Sequence, residues 1–193
     1  PMLEHVINKL KSSGFDEIII NIHHFGQQII DFLESNNNFG ISIHISDERE
    51  MLLDTGGGIK HAMELFPSDE PILIHNVDIL SDVDLKSLYR FHIDSGNDAT
   101  LMVSRRETSR YLLFDNSNRL NGWINISTGE TKPERFVYNP EIHSKYAFSG
   151  IHVVSPTLFN FMKDKWTGKF PIMDFYLKEC VNARIGACIK PEI

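Results

Sequence analysis

Hydrophobic and polar positions in the first half of the chain alternate between a helical and a strand period. Residues 3–10 place apolar side chains at helical spacing, and Gly14 follows as a helix stop. Glu17–Ile22 is a nearly continuous apolar run, which is typical of a strand buried on both faces of a parallel sheet. The pattern further predicts helices over 25–33, 59–66 and 84–93 and strands over 41–46, 71–77 and 99–104. This alternation predicts right-handed β-α-β crossovers and a mostly parallel central sheet with helices on both faces.

The pattern changes after Arg105. Short strands over 111–114 and 119–126 are predicted to pair in antiparallel fashion, joined at 115–118. The remaining predicted segments are a strand over 146–154, a helix that begins at Ser155-Pro156, a helical stretch over 170–184 and a strand over 187–190. No repeat or linker divides the sequence, so we expect one domain over residues 1–193. Its predicted fold class is α/β: Rossmann-like and three-layered α/β/α, with a small antiparallel addition in the second half.

Composition and charge exclude several classes of protein. The 193 residues are 41% hydrophobic and 23% charged, close to the globular average, which excludes a disordered, collagen-like or coiled-coil chain. The formal net charge of -7 disfavours wrapping of nucleic acid, so we expect no nucleic-acid partner. No apolar run approaches the roughly 20 residues that span a bilayer, so we expect no membrane partner.

Cys180 and Cys188 are too few for a disulfide framework or a zinc quartet. Nothing resembles a signal peptide, so the predicted location is the cytoplasm, and the oligomeric state stays open.

A run of three glycines is the first feature that indicates chemistry. Residues 53–59 read Leu-Asp-Thr-Gly-Gly-Gly-Ile and lead into a predicted helix. Glycines at this place let backbone N–H groups approach a ligand closely, and the helix dipole favours negative charge there. The alternative is a plain turn, and the run by itself favours neither interpretation. It matches neither the Walker A pattern nor the dinucleotide-binding pattern.

The second feature is His75-Asn76-Val77-Asp78, at the end of a predicted buried strand. The carboxyl ends of strands in an open parallel sheet border the ligand crevice. A carboxylate there suits Mg²⁺, which binds one or two carboxylates together with phosphate oxygens and water. The alternatives are that Asp78 caps the next turn, or that Asn76 forms an Asx turn.

Together, the two features place an anion or base cradle beside a metal ligand, which suits nucleotide chemistry. Lys60 is the only basic side chain very near either of them. A nucleoside triphosphate and a phosphorylated acceptor carry several negative charges and Asp78 adds one, so we expect further cations from elsewhere. His44 and His152 fall within predicted strands and are expected in the core or on a sheet face.

At these residues the sequence resembles the sugar-phosphate nucleotidyltransferases, in particular the mannose-1-phosphate guanylyltransferase and N-acetylmuramate-1-phosphate uridylyltransferase branch. The segments that carry the resemblance follow the family's order over essentially the whole chain. They are Pro-Met-Leu-Glu-His-Val at 1–6, Glu-Ile-Ile-Ile-Asn-Ile-His-His at 17–24, Asp-Thr-Gly-Gly-Gly at 54–58, Asn-Val-Asp at 76–78 and Phe-Ser-Gly-Ile-His at 148–152. The Thr-Gly-Gly loop combined with Asn-x-Asp is the most specific part.

The resemblance implies a role for each matching position. Residues 1–104 would form the nucleotide-binding half and residues 105–193 the sugar-binding half. Asp78 would be the catalytic residue and would hold Mg²⁺ as cofactor. The implied nucleotide-binding residues are Thr55, Gly56, Gly57, Gly58 and Asn76. The implied sugar-binding residues are Trp123, Asn125, Glu130, Ser149 and Gly150.

The sequence also departs from the family pattern at both ends. The family's signature loop L-x-A-G-x-G-x-R, which wraps the triphosphate, would lie before Pro1. The later W-x-D-x-G segment, with a second metal-binding Asp, would fall after Ile193. Asp174 lies in a stretch that is predicted to be helical and is not expected to replace that second Asp. We therefore expect an excised core, truncated at both ends, that is catalytically inactive by itself.

The implied reaction joins a nucleoside triphosphate and a sugar-1-phosphate to give a nucleoside diphosphate sugar and pyrophosphate. One alternative is a non-catalytic sugar-nucleotide-binding regulatory subunit on the same fold. Another is a nucleotide-sugar glycosyltransferase, whose metal motif is D-x-D, although Asn76 replaces the first Asp here. The nucleobase and the sugar stay open, because backbone contacts from glycines carry little side-chain information.

Overall fold

The computed structural model describes residues 1–67 and 69–190. The helices are α1 (Met2–Ser12), α2 (Gly26–Ser35), α3 (Asp54–His61), α4 (Leu85–Ser95) and α5 (Ile172–Glu179), with 3-10 turns over Asn37–Gly40, Ala62–Leu65 and Pro156–Phe161. The strands are β1 (Glu17–Ile22), β2 (Ser42–Asp47), β3 (Ile72–His75), β4 (Ala99–Ser104), β5 (Arg110–Phe114), β6 (Leu120–Asn125), β7 (Glu130–Lys132), β8 (Ser144–Val154) and β9 (Ile185–Ile189). Ser68 and the last three residues of the expected 1–193 domain lie outside the described residues.

The strands form two sheets. β1 and β2 pair in parallel, and a larger sheet has the order β7-β6-β5-β8-β4-β9, with β3 added on β8. β9 runs parallel to β4, whereas β8 runs antiparallel to β3, β4 and β5. The predicted α/β class and the antiparallel β5-β6 pair are confirmed. The antiparallel part is larger than the helix-strand alternation predicts, because β8 enters the middle of the larger sheet from the second half of the chain.

Helices cover both faces of the larger sheet, as the three-layer prediction requires. On one face, α5 buries Phe175 and Tyr176 completely within the main apolar cluster. On the other face, Leu85 and Leu88 of α4 pack against Ile151. A smaller cluster joins α1, β1 and α2 through Ile7, Ile18 and Leu33. Burial of such side chains is the main stabilising contribution to the layered arrangement.

A local signal explains the start of α4 but not that of the segment after β8. The Asp84 side chain accepts a hydrogen bond from the Ser87 amide at 3.0 Å and so caps α4. Ser155 was expected to cap a helix, but the segment after it is a 3-10 turn without a side-chain cap. The Ser155 hydroxyl instead donates to the carbonyl of Asn97 at 3.1 Å, and its oxygen lies 2.8 Å from Nε2 of His92.

A cavity of about 1000 Å³ lies between the two sheets. Its walls include 18–20 of β1 and 72–74 of β3, and side chains of α1, α3 and α4 border it as well. Within residues 1–67 and 69–190, no strand pairs with β1 other than β2, or with β3 other than β8. The two sheets are therefore connected through helices and loops rather than through a shared ladder. A search of the described residues for a helix long and apolar enough to cross a membrane finds none.

Candidate functional site

The two sequence features lie at the same cavity. Thr55 and Gly58 border it from α3, and Asn76 borders it from the end of β3. We call residues 53–58 the glycine turn and residues 76–80 the strand-end loop. The glycine turn follows β2 of the smaller sheet, and the strand-end loop follows β3 of the larger sheet. Each therefore lies after the carboxyl end of a strand, where the sequence predicts a ligand crevice.

The second residue of the glycine turn, Asp54, has a strained backbone. Asp54, the first residue of α3, has a φ of +62°, and its carboxylate accepts a hydrogen bond from the Thr55 amide at 2.6 Å. An Asp tolerates this left-handed conformation better than most residues because its short side chain bonds locally. The Thr55 hydroxyl oxygen accepts a hydrogen bond from the Ile172 amide at 2.9 Å, which joins the turn to the start of α5.

The glycines lie inside α3 rather than before it, and all of them are buried. The amides of Gly56 and Gly57 donate to the carbonyl oxygen of Phe170 at 2.9 and 3.1 Å. A Cβ at Gly56 would lie 2.4 Å from a ring carbon of Phe170, and one at Gly57 would lie 2.5 Å from the carbonyl oxygen of Gly168. The amides of Gly56 and Gly57 thus have a partner within the protein, and the role of the glycine run in holding a ligand stays a prediction. Here the glycines permit close backbone packing.

Lys60 points away from the strand-end loop. Its ammonium group donates to the carbonyl oxygens of Met162, Lys163 and Trp166 at 2.9, 3.0 and 2.6 Å. These three acceptors satisfy all the protons of an ammonium group. Lys60 therefore fixes the segment after β8 rather than supplying a free cation near Asp78.

The strand-end loop is more open than the glycine turn. Its main chain is fixed by hydrogen bonds from the Asn76 amide to the Gly150 carbonyl at 3.0 Å and from the Ile79 amide to the Asn76 carbonyl at 3.2 Å. Asp78 is exposed, and its carboxylate makes no hydrogen bond or ion pair within the described part of the chain. The side chain is therefore available to a ligand in solution.

Gly150 connects the loop to β8. Its φ of +72° favours glycine, and a Cβ there would lie 3.0 Å from Ile79 Cγ1 and 3.1 Å from Asn76 Nδ2. Ser149 next to it is half-buried. The structure thus brings Asn76 together with the Ser149-Gly150 pair, two of the sequence motifs that lie far apart along the chain.

His152 is a buried imidazole behind these elements, and His75 is a half-buried one. His75 Nδ1 lies 2.8 Å from the Asn76 carbonyl, its Nε2 is buried without a partner in the described residues, and burial lowers its pKa. Nδ1 of His152 lies 2.6 Å from the Tyr176 hydroxyl. Burial lowers the pKa of His152 to about 3 and raises that of Tyr176. The core position predicted for His152 is confirmed.

The implied sugar-binding residues of the β6-β7 hairpin fall into two places. Trp123 lies opposite Lys132 in the ladder, and the Lys132 ammonium is 5.6 Å from the centre of the Trp123 ring and 3.2 Å from Asp174 Oδ1. Asn125 and Glu130 oppose each other near the hairpin turn, where the Asn125 side-chain oxygen accepts from the Ser127 amide at 3.0 Å. None of the five implied sugar-binding residues is among those that line the cavity; on β8 the lining residues are their neighbours Phe148 and His152.

Sequence reasoning missed several residues that shape the site. Asp174 does lie in a helix, in the first turn of α5, but its partnership with Lys132 was not foreseen. Phe170 supplies the carbonyl that holds the glycine turn, and the buried Glu48 accepts from the Leu53 amide at 3.0 Å. No local signal distinguishes Phe170 or Asp174, because each acts on a segment distant in sequence, and the burial of Glu48 depends on its contact with the distant Asn21. Among the described residues, no group of three or more His, Cys, Asp or Glu is arranged to hold a metal.

Comparison with known proteins gives a consistent result. Mannose-1-phosphate guanylyltransferase 1 of Arabidopsis thaliana is 28% identical over 165 residues, which cover 83% of this chain and 43% of the relative. Mannose-1-phosphate guanyltransferase beta-A of Xenopus laevis is 27% identical over 164 residues, covering 83% of this chain and 42% of the relative. The chain thus spans less than half the length of these curated relatives.

Solved structures share the fold at low identity. HddC from Yersinia pseudotuberculosis, solved in complex with GMP-PN, superposes with a TM-score of 0.76 at 19% identity, over 98% of this chain and 76% of that one. The inositol-1-phosphate CTP transferase of T. maritima superposes with a TM-score of 0.68 at 12% identity, over 97% and 72% of the two chains. Residues 1–180 match the sequence profile described as nucleotidyl transferase, and the chain belongs to that family.

Proposed function

We propose that this chain carries the catalytic core of a sugar-1-phosphate nucleotidyltransferase, which joins a nucleoside triphosphate and a sugar-1-phosphate to give a nucleoside diphosphate sugar and pyrophosphate. One observation carries the proposal. Thr55, Gly58 and Asn76 line a single cavity, and the exposed Asp78 carboxylate stands in the strand-end loop beside it. Membership of the nucleotidyl transferase family and the names of the guanylyltransferase relatives support the same reaction.

In this reaction an oxygen of the sugar-1-phosphate attacks the α-phosphorus in line, and pyrophosphate leaves. The attacking phosphate is already ionised at neutral pH, so the protein supplies position and charge neutralisation rather than a strong base. The glycine turn is a preformed wall for the nucleotide, because Phe170 and Ile172 hold it through hydrogen bonds. Asn76 and Gly150 bring the end of β3 against β8, so the sugar side and the nucleotide side meet near Asp78.

Asp78 is the proposed magnesium ligand. The carboxylate fits this role because it is exposed and has no competing hydrogen bond or ion pair in residues 1–67 and 69–190. Mg²⁺ commonly takes one or two carboxylates and completes its shell with phosphate oxygens and water. When bound, the ion supplies Lewis-acid stabilisation of charge on the phosphoryl oxygens. The chain's own contribution is to hold one exposed carboxylate next to Asn76 and Val77, which line the cavity.

The proposed sugar side consists of Ser149 and Gly150 on β8 and of Trp123 on β6. Two observations support it: Gly150 packs against Asn76, and Trp123 lies beside the Lys132-Asp174 ion pair. Asn125 and Glu130 belong to the proposal through the family resemblance alone. We propose the cytoplasm as the location, because nucleoside triphosphates are supplied there.

We further propose that residues 1–193 alone bind nucleotide without turning it over. Two basic side chains of the site are already engaged, Lys60 with three carbonyl oxygens and Lys132 with Asp174. A triphosphate needs several positive charges around it for the pyrophosphate to leave. Measurable pyrophosphate release by residues 1–193 would overturn this part of the proposal.

The test is a pyrophosphate-release assay on the chain and on any longer form of the protein that contains it. GTP, UTP and dTTP are each offered with mannose-1-phosphate or glucose-1-phosphate, with and without MgCl₂. We expect magnesium-dependent release from at least one pair in a longer form. Nucleotide-sugar binding without release in every form would favour a regulatory subunit, and acceptor-dependent release of nucleoside diphosphate would favour a glycosyltransferase.

A further inference from the structure

The described residues include two buried carboxylates with different surroundings. Glu48 and Glu179 are each only 4% exposed. A buried carboxylate is costly unless hydrogen bonds compensate for its lost hydration. Glu179 accepts from Trp166 Nε1 at 3.1 Å and from Asn182 Nδ2 at 3.3 Å, at the end of α5. Both carboxylate oxygens of Glu48 accept hydrogen bonds from residues in or beside the glycine turn.

Glu48 connects the ends of β1 and β2 to the start of the turn. Its Oε1 accepts from Asn21 Nδ2 at 2.6 Å, and its Oε2 accepts from the Leu53 amide at 3.0 Å. Its own amide donates to the Ile22 carbonyl at 2.8 Å, so its backbone is fixed by β1. The carboxylate therefore holds the Leu53 amide in a defined place relative to the sheet.

The segment held in this way is the part of the turn that needs support. Leu53 precedes Asp54, whose positive φ is unfavourable for a residue with a side chain. On the opposite side, the Phe170 amide donates to the Leu53 carbonyl at 3.1 Å, and the Phe170 carbonyl accepts from the next two glycine amides. Leu53 is thus held between Glu48 and Phe170, and the orientation of Thr55 follows from it.

The same carboxylate explains why residue 58 is a glycine. A Cβ at Gly58 would lie 2.4 Å from Glu48 Oε1 and 2.5 Å from Asn21 Nδ2. Any side chain at this position would displace the carboxylate or the amide that orients it. Gly58 makes room for Glu48, as Gly56 and Gly57 make room for the segment around Phe170.

We propose that Glu48 is a positioning residue for nucleotide binding, which acts by fixing Leu53 and thereby the orientation of Thr55 in the glycine turn. The inference rests on the proposed function, because it assumes that the turn binds a nucleotide. Glu48 itself does not contact the ligand. Its contribution depends on its hydrogen-bond acceptors rather than on its charge.

The experiment compares Glu48→Met with Glu179→Met, two substitutions of equally buried carboxylates by an apolar side chain of similar length. Nucleotide affinity is measured by calorimetry with GTP, UTP and dTTP in MgCl₂, and amide exchange of Leu53 by NMR. We expect Glu48→Met to weaken binding about tenfold, a loss within the range for removal of one intramolecular hydrogen bond, and to speed exchange at Leu53. Glu179→Met should lower the unfolding midpoint comparably but leave both readouts at the wild-type values.

Glu48→Gln is the conservative rescue variant. Its amide oxygen can accept from the Leu53 amide while its NH₂ donates to Asn21, once the Asn21 side-chain amide has rotated. We expect its nucleotide affinity to stay within about threefold of wild type. If Glu48→Met does not fold, Asn21→Ala serves instead, and it should speed exchange at Leu53 and weaken binding by a smaller factor.

The outcomes separate this inference from the proposed function. A wild-type chain that binds none of the nucleotides overturns the proposed function, and the positioning role with it. Wild-type binding together with unchanged affinity in Glu48→Met or Asn21→Ala overturns the positioning role alone. Equal losses of affinity in Glu48→Met and Glu179→Met would assign the effect to general destabilisation and would also overturn it.

Discussion

In the glycine turn the main-chain groups of Leu53, Gly56 and Gly57 have partners within the protein, whereas in the strand-end loop the side chains of 77, 78 and 80 face solvent. Phe170 and Glu48 hold the turn from two sides, and buried glycines leave no space around it. The loop is held by main-chain bonds at Asn76 and Ile79. The difference indicates that the protein itself holds the turn in place, while the loop presents a charged group to solvent.

The comparison predicts that a change in the loop affects chemistry and a change in the turn affects stability. Asp78→Ala in an active, longer form of the protein should lower pyrophosphate release by on the order of a hundredfold or more, because it removes the proposed ligand of the charge-stabilising cation. The unfolding midpoint should hardly move, since the carboxylate makes no hydrogen bond or ion pair in the described residues. Asp94→Ala, an exposed Asp on α4, is the matched control. Normal turnover in Asp78→Ala would refute the role.

The opposite result is expected for Gly56→Ala. The added methyl group would lie 2.4 Å from the Phe170 ring and 2.9 Å from the Phe170 carbonyl oxygen, so α3 or its neighbour must shift. Overpacking of this kind should lower the free energy of unfolding by about 2 kcal/mol, measured by urea titration. Val77→Ala in the half-exposed loop should change it by less than about 0.5 kcal/mol. If the two substitutions lower the free energy of unfolding equally, the glycine turn is no more tightly packed than the strand-end loop.

Acid should lower the stability of the fold through two buried histidines, His92 and His152. The pKa of His152 is lowered to about 3 and that of His92 to about 4, against 6.5 for an unperturbed imidazole. The unfolded chain therefore binds more protons between these values, so the free energy of unfolding falls as the pH drops below about 6.5, by up to about 1.4 kcal/mol per pH unit for each histidine. Urea titrations between pH 8 and pH 5 test the trend.

A pair of histidine variants assigns the acid effect. His152→Asn keeps a polar atom for the Tyr176 hydroxyl and removes the titration, so it should flatten the pH dependence. His44→Asn should leave the slope largely unchanged, because the His44 side chain is 45% exposed and pairs with Glu17 at the surface. A slope that His152→Asn does not alter would show that other groups cause the acid sensitivity.

The smallest expected effect concerns the connection between the turn and α5. Thr55→Val removes the oxygen that accepts from the Ile172 amide and should lower the free energy of unfolding by about 1 kcal/mol. Thr55→Ser keeps the oxygen and should behave nearly as wild type. If Val and Ser have the same effect, the hydrogen bond does not stabilise the turn.

The sequence predicts those features of the fold that depend on local pattern. The boundaries of β1 (Glu17–Ile22) and β4 (Ala99–Ser104) match the prediction to the residue, because a continuous apolar run needs no distant partner to be recognised. The start of α3 does not match. Three successive glycines disfavour a helix by about 1 kcal/mol each, so the helix was expected to begin after them. Packing against Phe170 outweighs this preference, and no local pattern shows it.

In the candidate site, too, the sequence predicts the features that depend on local pattern and misses the contacts between distant segments. The strand-end position of Asp78 follows from the apolar strand before it, and the structure agrees with that placement. The partners that hold the turn do not follow from the sequence, because Thr55 and Ile172 are 117 residues apart and Asn21 and Glu48 are 27 apart. A single sequence carries no record of which distant hydrogen-bond donors and acceptors meet.

The cavity between β1 and β3 has a consequence for the response of this protein to hydrostatic pressure. Unfolding eliminates internal void space, and the negative volume change of unfolding scales with the space that is lost. Those parts of the cavity of about 1000 Å³ that water does not fill therefore favour unfolding under compression. A ligand that occupies the end of the cavity at Thr55 and Asn76 binds the folded state alone and opposes this effect. Nucleotide binding should then make the protein more resistant to pressure as well as more stable to heat.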